Sequence, residues 1–310
     1  MIYIRGMLGL GDNFYQRGIV QILSQKDLCV VETPWPQIYL DLPRVICTPA
    51  PSRLRTQAKN VRRSLALFKD PPYAASQRFL RLTYVPWQRQ GIPLYQGLCY
   101  CAGIDPKEYF LQLRPSATER KDHVIIRPHT LRTEWMAKNR GPDPSALQFA
   151  IDWCNAKGLK TIVVADIDPP LEYYDGPRPL RATEYCERGE LPIERLIDLF
   201  HTARFVVGTV GFAIPLSMAV GVPAIILHGG AGGLNGPNMV DAPCQIPLRH
   251  VTPKNFCRCV SYEHNCDRFI PLDRLETALN ECYESTRPAP RMEVGERHRI
   301  PASQTVVPVR

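Results

Sequence analysis

No uninterrupted apolar run in the 310 residues approaches the roughly 20 that a transmembrane helix needs, so a helical membrane span is not expected. A secretory leader is not expected either, because in MIYIRGMLGLGD the apolar residues are interrupted at once by Arg5 and Asp12, and the prediction is a cytoplasmic protein. The chain has no G-x-x-x-x-G-K, which excludes a P-loop. It also lacks G-x-G-x-x-G: the first glycines, Gly6, Gly9 and Gly11, run G-x-x-G-x-G and are followed directly by Asp12. Glu32 closes a second strand at a suitable distance for a dinucleotide-binding acid, so a Rossmann oxidoreductase stays an alternative. The 11 cysteines are scattered and no export signal accompanies them, which argues against a disulfide framework and for reduced thiols.

What the chain does contain is ordinary for a globular protein: 45% hydrophobic and 22% charged residues, and enough length for two domains with their own cores. The net charge of +8 favours an anionic partner, whether a phosphorylated substrate, a membrane surface or nucleic acid. The strand-like IYIR leads through a glycine loop into a helix-like run with Phe14, Ile19, Val20, Ile22 and Leu23 as its apolar positions. After LCVVETPWP the rhythm is lost, and residues 69–114, rich in Pro, Tyr and Gly, are expected only to pack over the site. It restarts with HVIIRP as a strand, SALQFAIDWCNAKG as a helix, KTIVVAD as a strand, PIERLIDLFHTA as a helix and RFVVG as a strand. AIPLSMAVG is a short helix, VPAIILHGG a buried strand and LDRLETALNECYES a final helix. Strands alternating with helices predict parallel sheets, and two such halves predict an α/β protein with two Rossmann-like domains facing a cleft. The expected boundaries are 1–118, 119–285 and a mobile tail over 286–310, which holds four prolines and no apolar period.

Four further stretches carry chemistry. HGGAGGLNGPNM places Gly229, Gly230, Gly232, Gly233 and Asn235 after a buried strand, where backbone can approach a nucleotide or sugar closely. FCRCVSYEHNCDRF offers Cys257, Cys259, His264 and Cys266, a donor set for a closed tetrahedral zinc with a structural role, or else reduced cysteines beside an unrelated histidine. SRLRTQAKNVRRSLALF presents Arg53, Arg55, Lys59, Arg62 and Arg63 either to phosphate or to solvent. Asp166 and Asp168 look like a metal-binding pair, yet two prolines follow them and a turn is the expected role.

GLGD after the first strand, RPHTLRTEW after the first strand of the second half, and LIDLFHTARFVVGTVGFAIPLSMAVGVPAIILHGG resemble, in order and spacing, the heptosyltransferase group of glycosyltransferases, family nine. The resemblance implies a divergent member with the GT-B architecture. It implies an inverting enzyme that uses a nucleotide diphosphate sugar, with the acceptor on the amino-terminal domain and the nucleotide on the carboxyl-terminal one. It makes Asp12 the catalytic base and assigns donor binding to Gly9, Gly11 and Arg132. GTVGFAIPLSMA has neither the acid nor the histidine that the family carries in this turn, so Thr209, Gly211, Phe212 and the N–H groups of the following helix are expected to hold the diphosphate. No cofactor is expected for transfer. The acceptor is left open between a glycan, a lipid-linked glycan and a nucleic acid, and the alternative from another class is a sugar-nucleotide or nucleic-acid binding protein of the same fold without catalysis.

Overall fold

The computed structural model describes residues 1–72, 78–116, 121–134, 140–261 and 263–286. The boundary expected at 118 and the tail beyond Thr286 lie outside the described residues. The first half is built on β1 (Ile2–Arg5), α1 (Leu10–Leu23), β2 (Cys29–Thr33), β3 (Val45–Pro49), α2 (Arg55–Arg63), β4 (Arg78–Arg81), α3 (Val85–Gln88) and α4 (Leu94–Ala102). Its four strands are parallel in the order β3-β2-β1-β4. Ile2 and Ile4 of β1 point into the core that Phe14, Ile19 and Val20 of α1 cover.

The second half comprises β5 (His123–Arg127), β6 (Thr130–Arg132), α5 (Pro144–Ala156), β7 (Lys160–Val164), β8 (Glu172–Tyr174), β9 (Glu184–Cys186), α6 (Ile193–Thr202), β10 (Phe205–Thr209) and α7 (Ala213–Val220). It ends with β11 (Ala224–Leu227), α8 (Gly232–Asn235), α9 (Pro237–Val240), β12 (Leu248–Val251) and α10 (Leu272–Ser285). Six parallel strands run β12-β11-β10-β5-β7-β9, while β6 and β8 form a separate antiparallel ribbon. The central strands are buried on both faces and read as continuous apolar runs, as a parallel sheet covered by helices requires. Pro215 is the third residue of α7, where its missing N–H costs no helical bond.

The two sheets share an apolar core in which α1 meets α7. Gly11 makes that contact possible, because a Cβ there would stand 3.1 Å from the Phe212 Cα. Leu113 N–H donates to the Ala219 carbonyl at 2.8 Å and draws the chain from the first half onto the second. Among the described residues no helix is long and apolar enough to cross a membrane.

Candidate active site

The GLGD loop is held from below by polar side chains of α1. Asn13 donates to the carbonyls of Met7 and Gly9, Gln16 both accepts from Met7 N–H and donates to Met7 carbonyl, and Trp35 Nε1 donates to Leu8 carbonyl. Thr33 and Tyr39 in turn donate to Asn13 Oδ1 at 2.7 and 3.0 Å. Asn13 and Gln16 are buried, so the loop backbone finds partners without water. Gly9 is the helix N-cap, and the Asp12 carboxylate, three residues on, accepts from the Gly9 N–H. Its Oδ1 also accepts from the Tyr84 hydroxyl at 2.6 Å, and its Oδ2 faces Gly9, where a Cβ would stand 2.4 Å away. Asp12 is therefore not the N-cap residue, although it bonds the helix start from the third helical position.

A helix N-terminus lowers a carboxyl pKa, and that is the ordinary expectation for Asp12. The structure reverses it: burial pushes Asp12 up from the usual aspartate value, against the pull of the Tyr84 hydrogen bond and of Arg140. Tyr84 is itself held well above the ordinary tyrosine value, first by burial and then by Asp12, so its O–H persists as a donor. Tyr84 belongs to the segment with no legible period. Gln88 of α3, from the same segment, donates to Leu234 carbonyl at 2.7 Å and ties this cover to the opposite half.

Beside the loop lies a cleft pocket of about 120 Å³ between the two sheets, where Gly9, Arg132 and Phe212 come together with Lys59, Arg63 and Arg127. Thr209 ends β10 and Gly211 precedes α7, next in the chain to Phe212. Arg127 was missed by the motif reading, although a cation at the carboxyl end of a buried parallel strand occupies a ligand-facing place. Its guanidinium stacks on the Phe212 ring at 5.1 Å, and burial pushes its pKa down to about 10. Arg132 pairs with Glu172 at 3.0 Å.

Arg53, Arg62 and Arg63 are exposed, the solvent-facing role open to this stretch in the sequence, whereas Arg55 and Lys59 take neither role. Arg55 and Lys59 cross to the second half, where they meet Asp166 at 3.2 and 2.8 Å, and Arg55 also reaches Asp168 and Glu172, each at 3.3 Å. Asp168 does form the expected turn with Leu171 and Glu172, and its carboxylate is paired as well.

The glycine-dense stretch is folded as α8 and α9 rather than as an open loop. Gly229, Gly230 and Asn235 are buried, with Gly229 N–H donating to Arg140 carbonyl. Gly232 and Gly233 lie against the cysteine segment: a Cβ on either would stand 2.0 Å from Cys257 carbonyl oxygen or 2.5 Å from that of Arg258. The donor atoms of Cys257, Cys259, His264 and Cys266 all lie within 4.8 Å of one another. Three sulfurs and one imidazole nitrogen fit a tetrahedral zinc or iron ion. Burial raises the Cys257 thiol, but hydrogen bonds from Gly232 and Cys259 N–H and from the neighbouring sulfurs outweigh it and bring the value down to about 6. A larger hollow of about 890 Å³ runs between the first half of α5 and residues 174–181; it contains none of the predicted site residues.

Known structures share this fold. The dodecameric iron-containing heptosyltransferase TibC in complex with ADP-D-beta-D-heptose superposes with a TM-score of 0.59 at 15% identity, over 92% of this chain and 77% of that one. The chain has the GT-B fold. In a second TibC structure, from enterotoxigenic E. coli H10407, the chain spans only 64% of that protein's length, with 78% of this chain covered and a TM-score of 0.52 at 15% identity. The family 9 glycosyl transferase of Veillonella parvula DSM 2008 matches with a TM-score of 0.55 at 12% identity, over 92% of this chain and 96% of that one. The ADP-heptose lps heptosyltransferase II of E. coli gives 0.53 at 11%, over 92% and 98%. No protein-family model and no curated protein matches the sequence.

Proposed function

We propose that the protein is an inverting glycosyltransferase that moves a sugar from a nucleotide diphosphate sugar to an acceptor hydroxyl, with Asp12 as general base. The observation that carries this reading is a carboxylate at the cleft that accepts from a neutral hydroxyl, in a GT-B fold, beside a pocket whose lining brings Lys59, Arg63, Arg127 and Arg132 together with Asp166 and Glu172. In the proposed step the acceptor oxygen attacks the anomeric carbon from the face opposite the diphosphate. The hydroxyl proton passes to Asp12 and the anomeric C–O bond to phosphate breaks. A carboxyl already pushed up by burial is a better proton acceptor than one in water.

Arg127, Arg132 and the N–H groups at the start of α7, with Thr209 and Gly211 beside them, are the proposed diphosphate ligands. Gly9 and Phe212 line the same pocket, while Gly11 closes the seam between the halves. The acceptor is proposed to be anionic, since the net charge is +8 and Arg63, exposed on the acceptor-side domain, lines the pocket. Transfer is proposed to need no divalent cation, because Asp166 and Asp168 are engaged by Arg55 and Lys59. Calorimetry with ADP in chelator tests this; binding that appears only with magnesium or manganese would count against it.

TibC was crystallised with an ADP-heptose, so ADP-sugars head the donor panel to be tried. Slow donor hydrolysis, followed with and without Asp12→Asn, tests the function. Hydrolysis that needs Asp12 supports the enzyme, whereas tight donor binding without turnover in either form supports the non-catalytic binding protein. The cysteine cluster is proposed to hold a structural metal that braces α8, zinc by its donor chemistry. Metal analysis separates zinc from iron, and less than about a tenth of an equivalent of either ends the proposal.

A further inference from the structure

We propose that Tyr84 is a positioning residue for Asp12: its hydroxyl occupies Oδ1 and turns Oδ2, over Gly9, into the oxygen that takes the acceptor's proton. The geometry rests on two contacts, the 2.6 Å bond from the Tyr84 hydroxyl to Oδ1 and the placement of Oδ2 over Gly9, where a Cβ would stand 2.4 Å away. A glycine at 9 leaves room at Oδ2 that any other residue would fill. The two oxygens of one carboxylate thereby acquire different tasks. A carboxylate that rotates freely offers either oxygen in any direction, while one pinned at Oδ1 presents the other along a fixed line, and a fixed line is what proton transfer between aligned heavy atoms requires.

The surrounding charges leave this task to Tyr84. Arg140 acts on Asp12 through space from the segment before α5, Gly9 N–H bonds it from its own loop, and Tyr15 and Tyr39 feel its charge from α1 and from the turn after β2. Gly11, one residue before Asp12, meets α7 through Gly211 and Phe212, which have no ionisable side chain. During transfer Tyr84 keeps its proton: the acceptor's proton goes to Oδ2, the new C–O bond forms at the anomeric carbon, and the diphosphate leaves with the electron pair.

The inference rests on Asp12 being the base, and its test is read without turnover so that the two can fail separately. In protein labelled with [13Cγ]aspartate, the Asp12 resonance is identified by its loss in Asp12→Asn, and its titration is followed in parent and Tyr84→Phe. Loss of a hydrogen bond that favours the charged form should move the midpoint up by about one pH unit. A shift under about 0.2 unit would overturn the proposal, since a merely structural tyrosine leaves the titration in place. If Tyr84→Phe does not fold, the parent supplies a second measurement: the Tyr84 hydroxyl proton should lie downfield and move with the Asp12 midpoint. A hydroxyl line indifferent to that midpoint overturns the proposal too. If instead Asp12→Asn transfers sugar at the parental rate, the base assignment falls while the titration result stands.

Discussion

Asp12 from the first half and Glu172 from the second both reach the cleft, and their surroundings differ in kind. Glu172 is buried at 2% exposure and receives Arg55 at 3.3 Å, Arg132 at 3.0 Å and the Thr130 hydroxyl at 2.8 Å. Asp12 is partly buried and receives the Tyr84 hydroxyl and the Gly9 N–H, both neutral donors, with the charge of Arg140 acting on it as well. A carboxylate surrounded by guanidinium groups joins together the elements that carry them. One that is desolvated beside a hydroxyl holds its charge poorly and is ready to take a proton. The same functional group thus serves as a clasp between the halves in one place and as a candidate base in the other, and the difference lies in the neighbours.

The largest expected effect breaks the comparison on the side of chemistry. Asp12→Asn should slow transfer by at least roughly 100-fold, the scale of a lost general base, with donor affinity within a few fold of the parent by calorimetry. Transfer near the parental rate in a folded variant would mean that the two carboxylates do not differ as described.

On the side of stability the order inverts. Glu172→Gln should cost about 2 kcal/mol in denaturant unfolding, below the roughly 3–5 kcal/mol for breaking a fully buried pair because Arg55 and Arg132 keep some contact with water. An unchanged midpoint would remove the clasp from Glu172.

A smaller effect of opposite sign sharpens the contrast. The Asp12 pKa is raised in the folded state, so the folded protein binds more protons than the unfolded one above the usual aspartate value. Stability is then lost as pH rises through the interval from that value to the folded one. Asp12→Asn should therefore melt slightly higher than the parent at neutral pH, with the difference vanishing in acid. A variant that melts lower at pH 7 would contradict the direction of the shift.

The paired histidines His228 and His250 provide the last test. Burial, then the neighbouring His250, pushes His228 down to about 3, and its Nε2 stands 2.7 Å from His250 Nδ1. An unfolded histidine takes a proton near 6.5, so stability should fall as pH drops from about 6.5 towards 3, and His228→Asn should flatten that limb. The same acid slope in the variant would assign the loss to other groups.

Much of the architecture was legible because it is written in local periods. Buried central strands such as HVII and FVVG and the helix stopped by Gly158 announce themselves, and the GLGD loop lies where strand gives way to helix. The edge strand β12 and the β6–β8 ribbon were not legible, because half-exposed strands of three or four residues carry too little pattern. The cysteine cluster was visible as spacing, yet its seat against Gly232 and Gly233 was not. In consequence the Cβ side of those two glycines is occupied by protein backbone.

The sequence by itself determined the alternation of strand and helix, the position of Asp12 in the first turn of α1 and the grouping of three cysteines with a histidine, all of which depend on neighbours within a few turns of chain. Only the tertiary structure decided the electrostatics. Tyr84 is 72 residues from Asp12, Asp166 is 111 from Arg55 and Glu172 is 117. The sign of a carboxyl pKa shift depends on which dipoles and charges come within a few ångströms and how much water they exclude, and no periodicity along the chain records either.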